Sequence, residues 1–84
     1  MSTLEHVRTM LDRTLSLNGR AERFGPETPL LGEVPELDSM AVVLLLTEFE
    51  ERFGIVVEDD DVSAETFETL GTLVEFVDRK LESA

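Results

Sequence analysis

The chain has no cysteine, no tryptophan and no tyrosine, one histidine, and only seven Lys and Arg in 84 residues. Each shortage excludes something. Without cysteine there is no disulfide, no thiolate metal site and no cysteine nucleophile. Seven bases face nineteen acids, a net charge of −12. That balance argues against binding nucleic acid, because phosphate contacts rest on Lys and Arg. It points instead to basic protein partners or to cations. Long apolar runs are also missing. The longest, Met40 to Leu46, falls far short of the ~20 residues of a membrane-spanning helix. The opening Met-Ser-Thr-Leu-Glu-His lacks the basic and apolar regions of a secretory signal. No membrane insertion and a cytoplasmic location are the expectation.

What is present suffices for one small domain over residues 1–84, held by packing alone. Its 42% hydrophobic content is too high for a disordered acidic tail. The charge is one-sided. Residues 1–32 carry four acids and four bases, whereas residues 33–84 carry fifteen acids and three bases. All the net charge therefore falls in the second part, as an electrostatic docking surface would require.

The hydrophobic spacing predicts an all-α bundle of three main helices and one short one, with a long first loop. Leu4, Val7, Leu11 and Leu15 recur at helical spacing over residues 3–17, behind a Ser2-x-x-Glu5 capping box and before an Asn18-Gly19 stop. Residues 19–37, broken by Pro26, Pro29 and Pro35, form the loop. Phe24, Leu30, Leu31, Val34 and Leu37 are expected to pin it across the bundle. Asp38 caps a second helix over 38–53, which Gly54 ends. Residues 55–61 are expected to run extended into a short helix at 62–68. A last helix over 70–82 follows Thr69, with Leu70, Leu73, Val74, Val77 and Leu81 on one face.

The second helix carries the unusual feature. Seven consecutive apolar residues, Met40 to Leu46, point in every direction around a helix. Spacing assigns Val42, Leu45, Leu46, Phe49 and Phe53 to the core. Met40, Val43 and Leu44 are left toward the surface, and an exposed apolar patch marks a partner or ligand. Beside it stands Ser39, the first residue of the helix, with Glu48, Glu50 and Glu51 further along. A phosphodiester on that hydroxyl would be favoured by the positive end of the helix. Competing chemistries fare worse. An EF-hand loop threaded from Asp59 has Ala64 where Gly is needed and Leu70 where a bidentate Glu is needed. No specific metal site is expected, only loose divalent binding to the acids. His6 lacks a neighbouring nucleophile motif, and the five glycines are too scattered for a phosphate loop. No enzyme activity is expected.

The series Glu36-Leu37-Asp38-Ser39-Met40, Phe49-Glu50-Glu51-Arg52-Phe53-Gly54-Ile55, Glu58-Asp59-Asp60 and Phe67-Glu68-Thr69-Leu70, with Leu30-Leu31 before it, resembles the acyl carrier proteins over essentially the whole chain. The resemblance implies a non-catalytic carrier. A phosphopantetheinyl transferase would place 4′-phosphopantetheine from coenzyme A on Ser39, supported by Asp38. The arm's thiol would then hold acyl groups as thioesters. Met40, Val43, Leu44, Glu48, Glu50 and Glu51 would meet basic docking patches on acyl ligases, ketosynthases or acyltransferases. Leu45, Leu46, Phe49, Phe53, Phe67 and Val74 would open to shelter an acyl chain. A monomer is expected, presenting one arm freely to several enzymes. Ala41 and Leu44 stand where the family often has an acid and Thr47 where it is commonly apolar, so the start of the helix is less acidic than is usual for fatty-acid carriers. They favour a dedicated carrier in a specialised acyl or polyketide-type pathway over general fatty-acid synthesis. Two alternatives stand beside this reading. One is an aminoacyl or peptidyl carrier of a nonribosomal pathway. The other is an acidic interaction module or nucleic-acid mimic with no use for Ser39.

Overall fold

A computed structural model describes residues 2–83. Three α-helices form the frame: α1 (Thr3–Leu15), α2 (Ser39–Phe53) and α3 (Leu70–Ser83). Among the described residues there is no strand, only an isolated bridge between Pro29 and Thr69. Helix α1 packs against both α2 and α3. Val7, Leu11, Leu45, Phe49, Leu70, Leu73 and Val77 fill the space between them, essentially without solvent contact. Phe76 joins them. Leu81, expected on the same face, lies past the last core turn and is exposed.

Helix ends follow local chemistry. At the start of α1, Ser2 Oγ accepts from the Glu5 amide at 3.3 Å. The helix stops at Leu15, two residues before the predicted end, because Ser16 turns left-handed (φ 54°). The Ser16 and Leu17 amides then close back on the carbonyls of Arg13 and Asp12. The side chain of Asp12 adds a second lock, accepting from the amides of Gly19 (2.9 Å) and Ala21 (3.2 Å). For α3, Thr69 and Thr72 cap each other reciprocally. Thr69 Oγ1 accepts from the Thr72 amide at 3.1 Å, and Thr72 Oγ1 accepts from the Thr69 amide at 3.0 Å.

The long first loop is ordered by two means. A 3-10 turn, Arg20–Arg23, opens it, and Leu30, Val34 and Leu37 are buried. Leu31 is not an anchor as expected: it is 47% exposed, and its contribution is a backbone bond to Phe67 O. The second means is backbone stitching to the start of α3. Leu30 N donates to Glu68 O, Leu70 N to Thr28 O and Gly71 N to Pro26 O, at 2.8–3.0 Å.

The short helix expected at 62–68 is instead a pair of 3-10 turns, Asp59–Asp61 and Ala64–Phe67. Val62 is extended (φ −111°, ψ 134°) and separates them. The first turn is closed by Asp61, whose carboxylate accepts from the Glu58 amide at 2.9 Å and pairs with Lys80 of α3. The acids thus build a turn of their own in a stretch expected to run extended.

Candidate functional site

Helix α2 organises the site. Asp38 is extended (φ −106°, ψ −175°), and its Oδ1 accepts from the Ala41 amide at 2.8 Å. Its carbonyl accepts from Val42 N at 3.0 Å. The carboxylate is therefore occupied with starting the helix. Ser39 is the exposed first residue. Among the described residues nothing engages its hydroxyl, and the first turn holds no acid. The amides of Ser39 and Met40 have no protein acceptor there either. An anion borne on Ser39 would meet free N–H groups and the positive helix end.

Three stripes run down α2 from this point. The buried one holds Ala41, Leu45 and Phe49, with Val42, Leu46 and Phe53 half-buried beside it. Met40 (72% exposed), Val43 (60%) and Leu44 (52%) face solvent near Ser39. One outward stripe, Met40, Leu44, Glu48 and Glu51, borders α1. There Leu44 and Glu48 line a groove of about 300 Å³ with Met10, Arg13 and Thr14. The other, Ser39, Val43, Leu46, Thr47 and Glu50, borders the 55–62 connection. It lines a groove of about 360 Å³ with Val57, Glu58 and Val62. The groove begins one helical turn below Ser39, on the same face.

The acids are not equivalent. Glu51 is exposed and Glu48 is half-buried in its groove. Glu50 is half-buried, and its Oε2 accepts from the Val57 amide at 3.0 Å. That bond holds the connection against α2. Two other carboxyls are held below the usual carboxylate range. Glu36 is lowered by its own backbone N–H and then by Arg20. Asp61 is lowered by Lys80 and then by the Glu58 amide.

Of the six side chains expected to form an apolar shelter, Leu45, Phe49 and Phe67 sit in the closed core. Val74 packs on its edge, and Phe53 meets the ring of His6 edge-on at 6.1 Å. Only Leu46 lines the groove. Sequence reasoning missed Thr47, Val57, Glu58 and Val62 as its walls. Thr47 is disguised because its hydroxyl donates to Val43 O at 3.0 Å, which folds a polar residue onto the helix. The signal for the others was the Ser39, Val43, Leu46, Glu50 spacing, which asks what lies opposite it. Val57 and Val62, apolar but outside any helical period, were the available answer.

A family model for the phosphopantetheine attachment site matches residues 5–77. Among solved structures, the chain is similar to the holo acyl carrier protein of Nitrosomonas europaea, determined in solution by NMR. The identity is 50% and the TM-score 0.90, with 98% of this chain and 99% of that chain covered. A free hydroxyl at the first position of a helix, with no acid in the first turn beyond the capping Asp38, suits the phosphodiester such an arm requires. The chain belongs to the acyl carrier proteins, non-catalytic carriers whose cargo rides on a covalent 4′-phosphopantetheine arm.

Proposed function

We propose that Ser39 is the attachment point and that α2 is the docking element. The observation that carries this is the exposed, unengaged Ser39 hydroxyl beside a carboxylate already committed to capping. In the loading step the Ser39 hydroxyl attacks the pantetheine-side phosphorus of coenzyme A. The pyrophosphate P–O bond breaks, adenosine 3′,5′-bisphosphate leaves, and the hydroxyl proton passes to a base of the transferase. Once bound, the arm supplies the thiol that this cysteine-free chain lacks. Asp38 keeps the helix start formed, so that Ser39 stands clear of the loop. Met40, Val43 and Leu44 offer partners an apolar seat, and Glu48 and Glu51 offer basic patches their counter-charge. Glu50 acts one step behind, by keeping the Val57 segment in place.

The groove between α2 and the connection is the proposed shelter for an acyl chain. Burial there favours insertion by about 0.8 kcal/mol per CH₂. The partners proposed are a phosphopantetheinyl transferase and acyl ligases, ketosynthases or acyltransferases. No helix is long and apolar enough to cross a membrane among the described residues. A cytoplasmic monomer fits the need to visit several enzymes. The apolar residues at Ala41 and Leu44 favour a dedicated carrier in a specialised acyl pathway.

Incubation with coenzyme A and a broad-specificity transferase, followed by intact-mass measurement, tests the attachment point. The wild-type chain is expected to gain one arm and Ser39→Ala none. An arm on Ser39→Ala, or none on wild type while a control carrier loads, overturns the assignment.

A further inference from the structure

A chain of contacts outside the docking helix leads to Ser39. It starts in α1, where the Asp12 carboxylate accepts from the amides of Gly19 and Ala21 and fixes the turn that carries Arg20. Arg20 then bridges two segments. Its Nε donates to Leu17 O at 3.2 Å, at the end of α1, and its Nη2 pairs with Glu36 Oε2. The Glu36 carbonyl accepts from Asp38 N at 3.1 Å, and Asp38 caps the helix that Ser39 begins. The side chains of Asp12 and Arg20 thus set where the loop turns into α2.

Resting on the assignment of Ser39 as the attachment point, we propose that Arg20 and Glu36 are positioning residues that hold Ser39 in the orientation a transferase must meet. The pair is too exposed to matter much for global stability, since screened surface pairs contribute little. Its effect is local. Glu36 Oε1 is turned inward with no hydrogen-bond partner among the described residues. An unpaired carboxylate oxygen away from water is unfavourable, so Glu36 keeps this position because Arg20, together with the residue's own backbone N–H, holds the carboxylate. Without the guanidinium the carboxylate swings out to solvent, and the 35–38 backbone gains freedom next to Ser39.

Such freedom lowers the fraction of molecules competent to dock, and an apparent affinity falls by that fraction. The loss should therefore appear in the KM for the carrier and not in kcat, because a saturated transferase sees only the docked form. Arg20→Ala and Glu36→Ala are each expected to raise that KM about two- to five-fold, the range a screened ion pair allows. The double variant should be no worse than either single one, since both remove the same contact. The exchanged pair, Arg20→Glu with Glu36→Arg, should recover part of the loss. Melting temperature should stay near that of wild type throughout. Amide hydrogen exchange gives a readout independent of loading: Leu37 and Asp38 should exchange faster in the single variants and slow again in the exchanged pair.

Unchanged exchange at Leu37 and Asp38 overturns the proposal, whatever the loading kinetics. So does an unchanged KM, an additive double variant, or a KM rise that simply tracks a fall in melting temperature. Wild-type chain that takes no arm, or Ser39→Ala that does, overturns the attachment assignment instead, and the exchange data still judge the loop.

Discussion

Single atoms decide several positions in this chain. Gly71, in the first turn of α3, is the clearest. A Cβ placed there would lie 2.7 Å from Pro26 O, the same oxygen that accepts the Gly71 amide. Alanine in a helix interior gains about 1 kcal/mol over glycine. A clash with backbone outweighs that gain, since overpacking costs about 1–3 kcal/mol and the loop must move to relieve it. We expect Gly71→Ala to lower the thermal midpoint by several degrees, at about 4–8 °C per kcal/mol for a domain of this size. An unchanged or raised midpoint in a calorimetric scan would refute the close approach. Nothing in the sequence marks Gly71 as different from Gly25, which has open space around it. The difference lies in which backbone comes near, and no local pattern encodes that.

At the scale of the element, α2 was the most legible part of the chain. Asp38 as cap, Gly54 as stop and the outward Met40, Val43 and Leu44 followed from side-chain chemistry and spacing, and the structure has all of them. The 55–68 segment was the least legible. The first of its short 3-10 turns depends on Asp61 reaching both the Glu58 amide and Lys80, which is nineteen residues further on, and the second on Thr66 Oγ1 accepting from the Ser63 amide. The acids of α2 were legible as charges but not as individuals. Exchange of charge separates them. Glu51→Lys should leave the melting curve nearly unchanged, as a surface substitution within about 0.5 kcal/mol, and slow transferase loading. Glu50→Lys strips the Val57 amide of its acceptor and should cost about 1.5–3 kcal/mol, as for a hydrogen bond to a charged group. Circular dichroism melts beside loading rates distinguish the two. Equal stability of both variants would remove Glu50 from its structural role.

For the molecule as a whole, charge and pH are coupled. Lys80 of α3 pairs with Asp61 of the connection, and the Asp61 carboxyl is lowered first by that lysine. A carboxyl lowered on folding contributes stability above its ordinary titration range, and loses it as pH falls through the lowered value. Asp61→Asn keeps an acceptor for the Glu58 amide and removes the charge. Wild type should therefore melt higher than Asp61→Asn at neutral pH, with the gap closing in acid. The relief of self-repulsion on protonation is nearly the same for the −12 chain and for the variant with one charge fewer, and largely drops out of the difference. A gap that persists at low pH would show that Asp61 works by shape and not by charge.

The stitching of the first loop to α3 has a further consequence, in the order of synthesis. Residues 26–30 take their backbone partners from residues 68–71. In a growing chain Ser39 is made before those partners, and until they arrive Leu30 and Leu37 have no closed core to enter. The hydroxyl acquires its native surroundings only after α3 has emerged and the loop has docked. On the proposed attachment at Ser39, a transferase that reads the shape around that hydroxyl is expected to load chains truncated before α3 more slowly than the full chain, and intact-mass time courses on the two measure the difference.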